Sequence, residues 1–243
     1  MKQFKLMMLG LALSAGFTTQ IQAQEAQSFV HQQSNTEDYV WPTDPQVLTK
    51  LKHWQDQKFG VLMHWGLYSV PGVVESWSIC SEDWIVRERK PTYEEDKAWY
   101  WSQKDSLNPV NFDPGKWADV MKKAGMKYMI FTTKHHDGFC MFDTKYTDFS
   151  IAHGPFGKDP RHNIAKEVFD AYRNKGFMIG CYFSKPDWHS KWFWNPYYAT
   201  PNRRINYKKK QHPDWWQNYR KFTQNQLCLL YTSPSPRDTE RSR

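Results

Sequence analysis

Histidines that follow apolar runs are the first residues of this chain that could bind a ligand. His64 closes the run 58–64, and His135 and His136 come shortly after the run 126–132. A neutral imidazole both donates and accepts hydrogen bonds, which suits a ligand with several hydroxyl groups. Neighbouring side chains of a strand point to opposite faces, so His135 and His136 can face one ligand only where the strand has ended or bulged. We expect Asp137, the next residue, to orient one of these histidines.

A metal is the alternative ligand for the histidines, because zinc sites combine two or three histidines with a carboxylate. Many metal-dependent barrels begin with His-x-His on their first strand, whereas here that place holds His64-Trp65-Gly66. We therefore predict that the chain uses neither a metal nor another cofactor.

Aromatic residues make up 17% of the chain, which contains 13 tryptophans. Four of these tryptophans come just after predicted strand ends: Trp65, Trp77, Trp84 and Trp188. Flat rings suit the C–H faces of a sugar, so the tryptophans and histidines together predict a carbohydrate-binding platform. Packing between loops is the alternative for each tryptophan.

The elements that would position these residues alternate along the chain. Apolar runs predict strands at 58–64, 126–132 and 177–183. Spacing and capping signals predict helices at 45–57, 93–102, 113–125, 159–176 and 213–226. In the helix 113–125, Asp113 can cap the N-terminus, Pro114 fits the first helical position and Gly125 fits the end.

Alternating strands and helices of this kind build a parallel sheet. The residues after each strand then meet at the carboxyl edge of the sheet, where (β/α)8 barrels carry their reactive groups. Since a full barrel takes about 250 residues, we predict an α/β fold that is an incomplete (β/α)8 TIM barrel of roughly the first three to four βα units. No G-x-G-x-x-G follows the first strand, which disfavours a dinucleotide-binding fold.

The charge of the chain is mildly basic, with 33 Lys and Arg against 25 Asp and Glu. Part of the excess lies at the two ends, and nucleic-acid binders usually concentrate their basic residues in a stripe. We therefore predict no nucleic-acid partner. The four cysteines form no C-x-x-C, so neither a zinc knuckle nor a disulfide framework is predicted.

Both ends of the chain are predicted to lie outside the fold. Residues 1–23 have the pattern of a signal peptide, with Lys2 and Lys5 before the apolar run 6–17 and a small residue at Ala23. That run is too short to cross a bilayer, which takes about 20 residues. An uncleaved anchor is the alternative. We expect a protein exported to the periplasm or the outside, with no membrane contact after cleavage, and a polar lead-in at 24–44.

The end of the chain changes character after Gln226. Residues 228–238 resemble one reading frame of a transposase-end adapter used to build sequencing libraries, so we predict that 227–243 is an artefactual tail. A natural Ser/Pro-rich tail is the alternative.

Three motifs carry a family resemblance: the segment 59–71 (FGVLMHWGLYSVP), the segment 134–139 (KHHDGF) and the segment 180–188 (GCYFSKPDW). In this order they resemble the N-terminal half of bacterial α-L-fucosidases of glycoside hydrolase family 29, over about residues 41–226. The resemblance implies that 45–226 is the N-terminal part of a catalytic TIM barrel. It also implies an exo-acting retaining enzyme that releases α-L-fucose from glycans or glycoconjugates by double displacement.

Site residues follow from the same resemblance. His64, His135 and His136 would bind fucose hydroxyls, and Tyr182 would contact the ring. The Glu-Trp pair of the family has two matches: Trp84, which we favour although Asp83 stands before it, and Glu75 with Trp77, held in reserve. Trp65 and Asp137 are further candidates.

The resemblance also implies residues that this chain lacks. Retaining glycosidases need two carboxyl groups about 5 Å apart. The family takes its nucleophile from the end of the fourth strand and its acid/base from a later glutamate, and neither has a match here. We expect no catalytic residue on this chain, an inactive protein and an unstable fold. A non-catalytic glycan-binding relative and a metal-dependent TIM-barrel hydrolase are the alternatives.

Overall fold

The computed structural model describes residues 40–81, 85, 90–199 and 202–232. The predicted signal peptide, most of the lead-in, Trp84 and the end of the predicted tail lie outside the described residues. The chain divides after His53 into two units, and the sheet belongs to the second, which begins at Trp54. Helix α1, Pro45–Gln55, spans this division and buries none of its residues.

The three predicted strands form one parallel sheet. They are β1, Gly60–Met63, β2, Tyr128–Lys134, and β3, Met178–Phe183, in the order β1-β2-β3. Tyr128 is the register partner of both Gly60 and Met178. The prediction of a parallel α/β sheet is therefore confirmed, with the carboxyl ends of all three strands at one edge.

In the described ranges, four more α-helices follow β1, three of them between strands and the last after β3. They are α2, Tyr93–Ser102, α3, Pro114–Lys123, α4, Ile164–Asn174, and α5, Pro213–Thr232. The capping signals of α3 act as expected: the Asp113 side chain accepts from the Lys116 N–H, Pro114 opens the helix, and Gly125 follows its end at φ +83°. A left-handed residue of this kind ends a helix most easily as glycine.

Two helix boundaries differ from the predictions by more than about two residues, the usual uncertainty of a helix end. Helix α4 begins at Ile164, capped by Asn163, and not at Asp159. The reason is that the Asp159 carboxylate binds the guanidinium of Arg161 two residues on, which holds a turn there. Helix α5 continues to Thr232, past the predicted end at Gln226. No helix of the described part of the chain is long and apolar enough to cross a membrane.

The core is densest around the central strand. Met129 and Phe131 of β2 are fully buried, and α4 packs its buried Val168 and Tyr172 side chains toward β2 and β3. Burial of each large apolar side chain stabilises the fold by about 1.5–3 kcal/mol. The outer strands are less covered, and Leu62 of β1 is 51% exposed. Parallel sheets are normally covered on both faces, so within the described residues this sheet is only partly enclosed.

Candidate functional site

The residues predicted to bind a ligand come together at the carboxyl edge of the sheet. His64 directly follows β1, His135 follows β2, and Tyr182 is the second-to-last residue of β3. The ring centroids are 5.6 Å apart for His64 and His135, 5.1 Å for His64 and Tyr182, and 5.9 Å for His135 and Tyr182. We call these three residues, with His136, the imidazole cluster.

The two adjacent histidines share this edge because the strand ends before them. Strand β2 stops at Lys134, and its pairing with β3 shifts register between Thr132 and Lys134. The alternation of side chains therefore no longer applies, as the sequence predicts, and the rings of His135 and His136 lie 4.5 Å apart.

A hydroxyl group holds each imidazole by its Nδ1 atom. Thr132 Oγ1 lies 2.6 Å from His64 Nδ1, and Ser76 Oγ lies 2.5 Å from His135 Nδ1. The third pair, His136 Nδ1 and Ser184 Oγ, is also hydrogen-bonded. Because Nδ1 is occupied in each ring, Nε2 is the atom left to meet a ligand or another side chain.

The Nε2 atoms of His64 and His135 lie beside the carboxylate of Glu75. Its Oε2 lies 3.1 Å from His135 Nε2, and its Oε1 lies 3.8 Å from His64 Nε2. The indole N–H of Trp77 donates to the same carboxylate at 2.9 Å. The backbone of Glu75 is left-handed, with φ +47°, which is unusual for a residue with a side chain and often marks functional positions.

The structure therefore brings the reserve pair into the cluster. The family resemblance favours Trp84, which lies outside the described residues, over Glu75 and Trp77. No local signal in the sequence ranks Glu75 first, because Ser76 and Trp77, the two residues after it, contact the histidines only in the folded chain.

The tryptophans divide between the two roles considered for them. Trp77 lies against His136 at 4.9 Å and against Trp188 at 5.8 Å. Trp65 instead packs on Phe112 and Trp117, at 5.5 and 5.4 Å, which is the loop-packing alternative.

Asp137 does not orient a histidine, contrary to the prediction. It is buried, and its carboxylate accepts from the Tyr100 hydroxyl at 2.6 Å and from the Phe139 N–H at 3.0 Å. The turn at Gly138, with φ +85°, allows this arrangement. Burial raises the pKa of Asp137 to about 6, although the Tyr100 and Phe139 hydrogen bonds oppose the shift. Asp137 thus ties α2 to the loop after β2.

Burial also sets the charge of the two adjacent histidines. It lowers the pKa of His135 to about 3, assisted by the neighbouring His64, and the pKa of His136 to about 3, assisted by His135. Both rings are therefore neutral at neutral pH. Neutral rings can donate and accept, which is the property that hydroxyl recognition requires.

A buried ion pair, which the sequence did not predict, fixes the loops behind the cluster. Lys134 Nζ lies 2.9 Å from Asp187 Oδ2, and both side chains are buried. Next to this pair, the Trp188 N–H donates to the His136 carbonyl at 2.7 Å. The loops after β2 and β3 are thereby joined at two adjacent points.

Three residues of the site could also hold a metal. The nearest ligand atoms of His64, Glu75 and His135 all lie within 4.8 Å of one another. They are two imidazole nitrogens and one carboxylate oxygen, a donor set typical of first-row transition metals.

Comparison with known proteins gives a consistent result. The family model described as "Alpha-L-fucosidase" matches residues 26–238. Human plasma alpha-L-fucosidase is 31% identical over 155 residues, which cover 57% of this chain and 30% of the relative. The chain spans about 30% of the length of the curated relatives that it matches.

Solved structures match over a larger part of the chain. Alpha-L-fucosidase isoenzyme 1 from Paenibacillus thiaminolyticus is 33% identical with a TM-score of 0.58, covering 76% of this chain and 40% of its own. A GH29 alpha-L-fucosidase from Bacteroides thetaiotaomicron, solved as a trapped covalent intermediate, is 32% identical with a TM-score of 0.57, covering 80% and 40%.

Proposed function

This chain belongs to the alpha-L-fucosidase family, and from that premise we propose that it supplies the fucose-binding part of the site of an exo-acting retaining α-L-fucosidase. The observation that carries the proposal is the imidazole cluster, because three different strands deliver His64, His135 and Tyr182 to one place with ring centroids within 5.9 Å of one another. The substrate is a fucosylated glycan or glycoconjugate.

Hydroxyl recognition follows from the chemistry of the cluster. A sugar hydroxyl is both a donor and an acceptor, so it can pair with the free Nε2 of a neutral imidazole whichever of the two ring nitrogens carries the proton. The Glu75 carboxylate accepts from a second hydroxyl, while the ring of Trp77 offers a flat apolar surface beside it. Because the hydroxyls of Thr132, Ser76 and Ser184 hold the imidazoles in place, little ordering cost remains when the sugar binds.

Catalysis by a retaining glycosidase needs two carboxyl groups, one on each side of the bond that breaks. One attacks the anomeric carbon to form a glycosyl-enzyme intermediate, and the other protonates the leaving oxygen and then activates water. Among the described residues near the cluster, Glu75 is engaged by two histidines and an indole, and Asp137 is buried against Tyr100. We therefore assign neither to these roles. The residues of this chain bind and orient the fucosyl ring.

The proposed fold rests on the topology of the sheet. We propose that the parallel sheet β1-β2-β3 is the start of a (β/α)8 TIM barrel, a proposal supported by its helical crossovers and by the partial exposure of its outer strands. We further propose that the protein is exported to the periplasm or the outside after removal of residues 1–23. We propose no nucleic-acid partner and no membrane contact after this cleavage.

Titration of the full chain with L-fucose tests the proposed function. Trp77 lies beside the cluster, so we expect L-fucose to change the tryptophan fluorescence, whereas D-glucose does not. His135→Ala should weaken the response, while His162→Ala, at a half-buried histidine paired with Asp143, should not. Equal responses to both sugars, or none to either with the far-UV spectrum of a folded chain, would refute the proposal. Turnover of an aryl α-L-fucoside would refute the assignment of the carboxyl groups.

A further inference from the structure

We propose that His64, Glu75 and His135 form a binding site for a divalent transition metal such as Zn²⁺. We propose further that the metal and the sugar exclude each other there. The metal site stands on geometry alone, whereas the exclusion rests on the proposed function.

The donor atoms converge without rearrangement of the backbone. Glu75 Oε2 lies 3.1 Å from His135 Nε2, Glu75 Oε1 lies 3.8 Å from His64 Nε2, and all three residues offer ligand atoms within 4.8 Å of one another. Zinc bonds to imidazole nitrogen and carboxylate oxygen are about 2.0–2.2 Å long, so two ligand atoms of one ion lie at most about 4.4 Å apart, and side-chain shifts of a few tenths of an ångström bring all three within reach.

Each imidazole already has the outer partner that a metal ligand needs. A ligating histidine usually bonds its second ring nitrogen to a neighbouring group, which fixes the ring and the nitrogen that faces the metal. Here Thr132 Oγ1 holds His64 Nδ1 at 2.6 Å, and Ser76 Oγ holds His135 Nδ1 at 2.5 Å. Both Nε2 atoms are therefore preset toward Glu75, which the Trp77 indole orients at 2.9 Å.

The site is open enough for an ion to enter. The side chains of His64 and Glu75 are 28% and 29% exposed, and only His135 is buried. Three protein ligands leave one tetrahedral position for water, the pattern of sites with exchangeable ligands. The nitrogen-rich donor set selects Cu²⁺, Zn²⁺ or Co²⁺ over Mg²⁺ and Ca²⁺, which prefer oxygen ligands.

Mutual exclusion follows because the metal uses the same atoms as the sugar. Once His64 Nε2, His135 Nε2 and the Glu75 carboxylate coordinate an ion, none of them can bond a fucose hydroxyl. Zinc would then act as a competitive inhibitor of fucose binding and not as a cofactor.

Calorimetric titration of the full chain with ZnCl₂ tests the metal site, with CoCl₂ absorption as a report of its geometry. We expect one site, no binding of MgCl₂, and loss of the site in Glu75→Gln. Thr132→Val removes only the hydroxyl behind His64, so it should weaken zinc binding by about 10- to 100-fold. His162→Asn removes a half-buried histidine beside the Asp143 carboxylate and should leave zinc binding unchanged.

Two outcomes, measured on folded variants, would contradict the metal site. Zinc affinity that survives both Glu75→Gln and Thr132→Val, or that falls in His162→Asn, would overturn the metal site. A second titration in the presence of L-fucose separates the two proposals. A weaker apparent affinity for zinc supports exclusion, and an unchanged affinity overturns exclusion while the metal site stands.

Discussion

Replacing Asp187 with asparagine is predicted to destabilise the protein more than replacing its partner Lys134 with methionine. The two side chains are 3% and 0% exposed, and Lys134 Nζ lies 2.9 Å from Asp187 Oδ2. Removing one member of a buried ion pair leaves the other charge uncompensated, which costs about 3–5 kcal/mol. The surroundings of each charge decide where in this range each variant falls.

The surroundings of the two charges differ. Without Lys134, Asp187 still accepts from two backbone N–H groups, that of Ser190 at 2.9 Å among them. Without the aspartate, the ammonium faces the rings of Phe183 and Phe222 at 4.4 and 5.9 Å, and ring faces stabilise a cation less than a carboxylate does. We therefore expect losses of about 5 kcal/mol for Asp187→Asn and about 3 kcal/mol for Lys134→Met.

Urea unfolding followed by tryptophan fluorescence measures these losses by linear extrapolation. The double variant should cost less than the sum of the single ones, because each single change already breaks the pair. Asp119→Asn, in the exposed pair with Lys175, is the control and should cost less than about 1 kcal/mol. A loss for Asp187→Asn no larger than that of the control would refute the reasoning.

Three further predictions concern the histidines and the turns. The pKa values of His135 and His136 are lowered to about 3 in the fold, whereas an unfolded histidine has a pKa of about 6.5. Between these two pH values the unfolded chain binds more protons than the folded one. The free energy of unfolding should therefore fall as the pH drops from about 6.5 to about 3. Urea unfolding at several pH values should show a shallower loss for His135→Asn. Gly125→Ala should cost about 1–2 kcal/mol, because Gly125 has a positive φ. Gly138→Ala should cost more, because φ is positive there too and a Cβ would also clash with the carboxylate of Asp187. Equal melting temperatures would contradict this. Ser76→Ala should weaken L-fucose binding by about 2- to 10-fold in a fluorescence titration, the equivalent of one hydrogen bond of about 0.5–1.5 kcal/mol.

The sequence could predict the strands and the position of the histidines because local signals determine both. Asp113 and Gly125 bound a helix whose end fixes where β2 begins. The apolar run of β2 then determines where His135 leaves the sheet. These are short-range effects of capping and burial, and each can be recognised within a few residues.

The rest of the site depends on contacts that the sequence does not encode locally. Lys134 and Asp187 are 53 residues apart and become partners only when β2 and β3 lie side by side. Glu75 reaches the histidines through a left-handed turn in a long loop, and no spacing rule predicts such a turn. The neighbours of Asp137 in the sequence predict that it orients a histidine, but its carboxylate accepts a hydrogen bond from the hydroxyl of Tyr100 in α2.

The histidine side-chain nitrogens, observed by ¹H–¹⁵N NMR during titration of the full chain with L-fucose, give the most direct test of a shared sugar site. We predict that the Nε2 signals of His64, His135 and His136 shift together along one binding curve, while that of His162 stays unchanged. If the three respond at different sugar concentrations, or fewer than three respond, the strand ends do not form one fucose-binding site.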